Sequence, residues 1–390
     1  MRPSVAIVDH LDGGHHPSYL RLWQHSLEAH GFNAYIVSPE LVKGVPTDRT
    51  HLIPQVRLRV LAADTGQLAA VRLWKETNRW ISDLEKAHGL QVESLAFPYG
   101  NPWILNNIPY WMLDRVNSRP WIGLLFNCPK TMLRRAHWFG LSGIASRRAA
   151  AVAAFEGLSG LDNWPASLSA GPLIQMPDVA EPMSATSADR AKVLHAEWKS
   201  ASGNRPLIAC VGRITRRKNV VSLLRAIDSW AGPDRPFVLL AGECAEFDLG
   251  DQAKFIRDWF RNPSHGRAQW GRIDDDEFDS YVSAVNMVWA CYSNFDGSSN
   301  MIAKAALCES CVLVNPFGAA AAVAQKCAHV EVAEANDDDG LRRSIQKCIE
   351  RSYKVSKDEF KRLQERFGVT ALHNAIKPLT GALLRSCGRT

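Results

Sequence analysis

Twice along this chain a short apolar run gives way, through a glycine-bearing turn, to an amphipathic run at helical spacing. Residues 5–8 lead through Asp9-His10-Leu11-Asp12-Gly13-Gly14-His15-His16 into 17–30, where Tyr19, Leu20, Leu22, Trp23 and Leu27 recur on one face, and 34–37 reads as strand again. Residues 206–211 repeat the pattern: they pass through Gly212-Arg213-Ile214-Thr215-Arg216-Arg217-Lys218 into an amphipathic run over 219–230. Strand, turn, helix, strand is the unit of a parallel sheet, because a crossover helix must return the chain to the starting edge. Segments 92–97, 121–126 and 143–145 extend the first series, and 237–240, 287–291 and 312–314 extend the second, which ends in a helical tail from 357. Between them, residues 166–189 hold Pro172, Pro177 and Pro182 and break the periodicity. The expected fold is therefore α/β, with two parallel-sheet domains facing across a cleft. The expected bounds are 1–175 for the amino-terminal domain, 176–205 for a linker, 206–370 for the carboxyl-terminal domain, and 371–390 for a tail free to return to the first domain.

At 390 residues, with 46% hydrophobic and 22% charged residues, the chain can bury two cores, and disorder is not expected. A formal charge of +6 suits an anionic substrate but is too small to argue for nucleic acid, and no nucleic-acid module accompanies it. Nine cysteines follow no secreted spacing, so a reducing, cytoplasmic setting is expected. Cys308-Glu309-Ser310-Cys311 lacks a second pair and reads as a buried helix-to-strand junction rather than a zinc site. No signal peptide is expected before the strand at residue 5, and no run of about 18 apolar residues is present to span a bilayer. Trp74-Lys75, Arg79-Trp80, Trp111 near Arg115, and Arg134-Arg135 before Trp138 interleave indole and cation. Such residues suit peripheral contact at an inner membrane face or stacking on sugars, or else form half-buried core with solvated neighbours.

The turn after 206–211 carries the clearest chemistry. Arg213 offers a planar fork for phosphate oxygens, Lys218 a point charge, and a helix start adds free N–H groups, so a diphosphate fits better than a carboxylate. A plain basic surface turn is the alternative. Asp9 and Asp12 fit either an acceptor-orienting role or simple turn and cap roles. His15 and His16 can hydrogen-bond a sugar hydroxyl or leaving phosphate, or can pack and cap the following helix. The first turn does not spell Gly-x-Gly-x-x-Gly, which disfavours a nicotinamide-dependent oxidoreductase.

Four signals in order resemble the GT-B glycosyltransferases, most closely the retaining family 4 group. They are Gly13-Gly14 before a helix; Gly212-Arg213 with Lys218; Trp270-Gly271-Arg272-Ile273 followed by Asp274 to Glu277; and Tyr292 to Ser299 with Ala305 and residues 312–314. The resemblance implies two Rossmann-like domains and a nucleotide-sugar co-substrate, UDP- or GDP-linked. Gly13 and Gly14 would approach the donor, Arg213 and Lys218 would hold its pyrophosphate, and Arg272 and Ile273 would run past the base. No metal or further cofactor is implied, and Asp274-Asp275-Asp276 reads as an acidic helix start. The family's paired glutamates fall on Asp296 and Lys304. Asp296 can orient the sugar, with Gly297, Ser298 and Ser299 offering backbone N–H groups. Lys304 lacks the acceptor oxygens that ribose hydroxyls need, and either adds a third cation or faces solvent. Glu309 reads as a surface residue. The strand-end position that carries a histidine in the family reads Phe97-Pro98-Tyr99-Gly100-Asn101. The activity implied is sugar transfer to a glycan, lipid-linked sugar or small molecule; a degenerate nucleotide-sugar or glycan scaffold is the other reading.

Overall fold

The computed structural model describes residues 2–11, 16–54, 69–105, 108–127, 143–158, 161, 171–230, 232–334 and 337–388. Backbone contacts divide the chain into two units, Met1–Pro177 with Thr370–Thr390, and Asp178–Val369. The first is built on seven strands: β1 Ser4–Val8, β2 Asn33–Ser38, β3 Thr50–Leu52, β4 Ser94–Phe97, β5 Trp121–Leu125, β6 Ala149–Phe155 and β7 Leu173–Met176, in the order β3-β2-β1-β4-β5-β6-β7. Every pairing is parallel. Residues 143–145, expected as a strand, form a tight 3-10 turn instead. Gly143 there lies so close to the Trp103 and Ile104 backbone that a Cβ would come within 2.5 Å of the Trp103 carbonyl, and the sheet is continued by the next segment. Trp74 and Trp80 are buried core, which removes them from any membrane face, whereas Trp111 is exposed with Arg115 over its ring. Arg134, Arg135 and Trp138 lie outside the described residues. Among the described residues no helix is long and apolar enough to cross a membrane.

The second unit holds β8 Leu207–Val211, β9 Phe237–Gly242, β10 Gly266–Trp270, β11 Met287–Ala290, β12 Cys311–Val314 and β13 Val330–Val332, in the order β10-β9-β8-β11-β12-β13, all parallel. Alternation along the strands makes two apolar layers. Leu207, Ala209, Val211, Phe237, Leu239, Val288 and Val312 pack with Ala191, Leu194 and Trp198 of the helix Ala185–Ser202 and with the helices Asn300–Leu307 and Lys357–Phe367. Ile208, Cys210, Val238, Leu240, Met287 and Trp289 face the helices Val220–Asp228, Asp251–Trp259 and Asp338–Ser352. The helix Ala185–Ser202 occupies most of the stretch expected to be linker. Ser184 caps its start by accepting the Ser187 N–H, and Gly203 ends it in the left-handed region at φ 63°. The eight described cysteines are free thiols, and Cys308 and Cys311 sit between the end of the helix Asn300–Leu307 and β12, as the junction reading required. Both sheets reverse strand order beside their first strand, between β1 and β4 and between β8 and β11. In open parallel sheets, ligands bind at the carboxyl ends of strands at such a reversal.

Candidate functional site

Three glycines open the carboxyl edge of the second sheet. Gly212, Gly242 and Gly271 follow or close β8, β9 and β10 with φ of 94°, 147° and 116°, values that favour glycine. Their backbones are in contact: the Gly212 N–H donates to the Ala241 carbonyl at 2.9 Å and the Gly271 N–H to the Gly242 carbonyl at 3.2 Å. A Cβ on Gly242 would stand 2.1 Å from the Gly212 carbonyl oxygen. The glycines therefore bring three neighbouring turns together; a Cβ on Gly271 would meet open space, whereas one on Gly212 would stand 3.4 Å from the Phe278 ring and 3.6 Å from Lys218 Nζ. Beyond Gly271, Arg272 is exposed and Ile273 packs partly into the core. Asp274 caps the helix Asp275–Ser283 by accepting the Glu277 N–H at 2.7 Å, so the acidic run is a helix start as expected.

The cations gather around Tyr292. Lys218, which ends the 3-10 turn Arg216–Lys218, is only 7% exposed. Its Nζ donates to the Val211 carbonyl at 2.6 Å and to the Tyr292 hydroxyl at 3.4 Å, 5.1 Å from that ring's centre. Arg217 lies 5.1 Å from the same ring and 4.8 Å from that of Phe295. The turns after β8 and β11 are joined where the Ser293 N–H donates to the Arg217 carbonyl and the Trp289 Nε1–H to the Lys218 carbonyl, each within 3 Å. Arg213 is exposed. Among the described residues no carboxylate oxygen lies within 4 Å of the charged side-chain nitrogens of Arg213, Arg217 or Lys218, although the Asp248 carboxylate accepts the Arg216 N–H at 2.6 Å in the same turn. A buried ammonium that has a carbonyl and a ring but no counter-charge leaves its field unneutralised, which is a standing attraction for an anion.

The turn after β11 also meets the start of the unit. The Asp178 carboxylate accepts from Ser298 Oγ at 2.7 Å and Asn300 Nδ2 at 3.0 Å, and so fixes the entry to the helix Asn300–Leu307. Gly297 and Ser299 are buried, and Asp296 is exposed. Lys304 neither faces solvent nor points its charge at the basic turn. Its Nζ lies 2.7 and 2.9 Å from the two Asp279 oxygens, with both side chains buried. Burial pulls the Lys304 pKa down, but the attraction and hydrogen bond of Asp279 outweigh it and the net shift is upward. Asp279 is itself raised, first by burial and then by Asp275 and Asp276, against the pull of Lys304. The pair is ionic, and the third-cation role expected for Lys304 has no free ammonium to perform it.

In the first unit the reversal point carries an acid and an imidazole. Asp9 is fully buried at the end of β1, accepts the Leu11 N–H at 3.0 Å, and lies 2.6 Å from His16 Nδ1. His16 begins the helix His16–Ala29 and lies against Tyr99, with ring centres 3.8 Å apart and the planes tilted by 31°. A carboxylate on Nδ1 holds that nitrogen as the donor and fixes the tautomer. Burial lowers the pKa of neighbouring His10, with Asp9 opposing and His16 adding to the shift. Gly13, Gly14 and His15 lie outside the described residues. The residues not singled out from sequence are Gly242, Arg217, Asp178 and Asp279. Only Gly242, a glycine closing an apolar run, left a local signal; the others act across 25 to 122 residues of chain or through aromatic contacts.

No protein-family model and no curated protein matches this chain. Solved structures do. HepE of Anabaena in complex with UDP and glucose aligns with a TM-score of 0.67 at 12% identity, over 97% of this chain and 100% of that one. Sucrose-phosphate synthase from Thermosynechococcus elongatus gives 0.68 at 15% over 99% and 100%. The catalytic domain of starch synthase IV from Arabidopsis thaliana, bound to ADP and acarbose, gives 0.66 at 13% over 100% of both. These neighbours are GT-B glycosyltransferases, and likeness at such identity speaks to architecture. The two reversed parallel sheets and the full-length match together establish that this chain has the GT-B fold.

Proposed function

We propose that the chain is a glycosyltransferase that moves a sugar from a nucleoside-diphosphate donor, UDP- or GDP-linked, to a glycan, lipid-linked sugar or small-molecule acceptor, with retention and without a metal. The observation that carries this reading is the buried Lys218 and the exposed Arg213 in one turn, neither ion-paired among the described residues, at the reversal point of the second sheet. As the bond from the sugar's anomeric carbon to the diphosphate breaks, negative charge grows on the leaving phosphate, and preplaced cations stabilise that state more than the ground state. Gly212 and Gly271 leave room for the donor's approach, Arg272 and Ile273 flank the base, and Asp296 with Gly297 to Ser299 orients the sugar. In the first unit, His16 held by Asp9 suits hydrogen bonding to a sugar hydroxyl.

A second reading, nucleotide-sugar binding without turnover, is supported by the Lys304–Asp279 pair, which leaves no carboxylate at that position for ribose hydroxyls. Proton NMR of a panel of UDP- and GDP-sugars incubated with the protein in EDTA separates the two. Release of nucleoside diphosphate that disappears in Arg213→Ala supports the transferase, and the anomeric coupling of the product reports retention. Donor that binds and is never consumed, across an acceptor panel, favours the second reading.

A further inference from the structure

Two of the cations around Tyr292 have different surroundings, and the difference matters. Lys218 is buried and points back to the Val211 carbonyl, whereas Arg217 is exposed and its guanidinium sits in the corner of two rings, Tyr292 and Phe295, which meet edge to face at 5.8 Å. Ring contacts hold a guanidinium through its face and leave its N–H edge unused. The Arg217 backbone is fixed as well, since its carbonyl accepts the Ser293 N–H at 2.8 Å. Its backbone is thus tied to the turn after β11 and its guanidinium lies against that turn's rings. Phe295 directly precedes Asp296, so its ring ties the fork to the turn proposed to orient the sugar, while Tyr292 is shared with Lys218. Arg213 and Lys218 already match the charge of a diphosphate. A third preplaced cation, whose guanidinium makes no ion pair among the described residues, exceeds what that group requires.

We infer that Arg217 binds a second oxyanion, a carboxylate or phosphate carried on one of the two sugars, and thereby selects an acidic sugar over its neutral counterpart. This rests on the donor-site reading above, and the test keeps the two apart. Calorimetry compares UDP-glucuronate with UDP-glucose and GDP-mannuronate with GDP-mannose, and then, on nucleotide-saturated protein, glucose 6-phosphate with glucose. In wild type, one acidic member binds at least about tenfold more tightly than its neutral partner, as expected for a bidentate charged contact. The arm in which this occurs identifies the donor or the second sugar as the bearer. Arg217→Gln loses the preference while its affinity for the bare nucleoside diphosphate stays within about twofold. Arg217→Lys, which keeps the charge without the planar fork, falls between, and thermal unfolding of both variants checks the fold. Equal binding of acidic and neutral members in every arm, with nucleotide binding intact, overturns the inference alone. So does Arg217→Gln that weakens acidic and neutral members alike, which would make Arg217 a brace or a diphosphate ligand. No binding of any nucleotide to wild type would remove the donor-site reading and this inference with it.

Discussion

Restoring a glutamate at position 304 is the obvious way to make this chain look more like the family it resembles, and the structure predicts that it fails. Lys304 and Asp279 form an ion pair with side chains only 11% and 8% exposed. Removing one member of a buried pair leaves the other charge uncompensated and costs about 3–5 kcal/mol. For a unit of this size that is a fall in Tm of about 6–20 °C. Lys304→Met should show that loss. Lys304→Glu should lose more, because two carboxylates would then share the site within reach of Asp275 and Asp276, which already raise Asp279. The Lys304→Met, Asp279→Leu double variant should recover most of the stability, since no charge remains unpaired. The pH dependence has a definite sign. In Lys304→Met the folded-state pKa of Asp279 rises further above its unfolded value, so the destabilisation is greatest at neutral pH and shrinks as pH falls through that raised pKa. Urea unfolding of the four proteins between pH 4 and 8 measures all of this. A Lys304→Met variant within about 1 kcal/mol of wild type at pH 7 would refute the reasoning.

His329 is fully buried, with Nε2 2.9 Å from the Ile302 carbonyl, and burial chiefly pushes its pKa down to about 4. Because the unfolded chain takes up the proton first, its contribution is complete above about pH 6.5 and is lost as pH falls toward 4, by up to roughly 3 kcal/mol; a His329→Gln variant whose urea midpoint keeps the wild-type slope over that window would contradict this. Gly242→Ala should lose on the order of 3 kcal/mol and distort the Gly212 turn, because the new methyl meets a carbonyl at φ 147°; an unchanged Tm would show that the turn yields freely. Asp9→Asn should reduce donor turnover at least about tenfold with the fold retained, by releasing the His16 tautomer. A rate equal to wild type would make Asp9 a turn residue only.

The central strands of both sheets were legible because each is a continuous apolar run ended by a turn. β6 was not, although it is buried along its length, because Ala149 to Phe155 is mostly alanine, which favours no strand and shows no alternation. The edge strand β10 leaves no apolar run in the sequence, since Arg267 and Gln269 are polar and exposed and Trp270 is exposed as well. At the site, Gly212, Arg213 and Lys218 stood out because one turn supplies all three. The partners that give them meaning come from elsewhere: Tyr292 from the turn after β11, Gly242 from the end of β9. Lys304 was misjudged because the residue that neutralises it lies on another helix, 25 positions away. Charge is legible in a sequence; its neutralisation depends on which helices pack together.

The most direct test of the account is a calorimetric titration of UDP, GDP, ADP, CMP and dTDP into wild type and Arg213→Ala, first in EDTA and then with a divalent metal. The account predicts that one diphosphate binds without metal and that the variant loses at least about tenfold in affinity, the range of a charged hydrogen bond. Equal affinity of the two proteins, or binding that requires the metal, would contradict it.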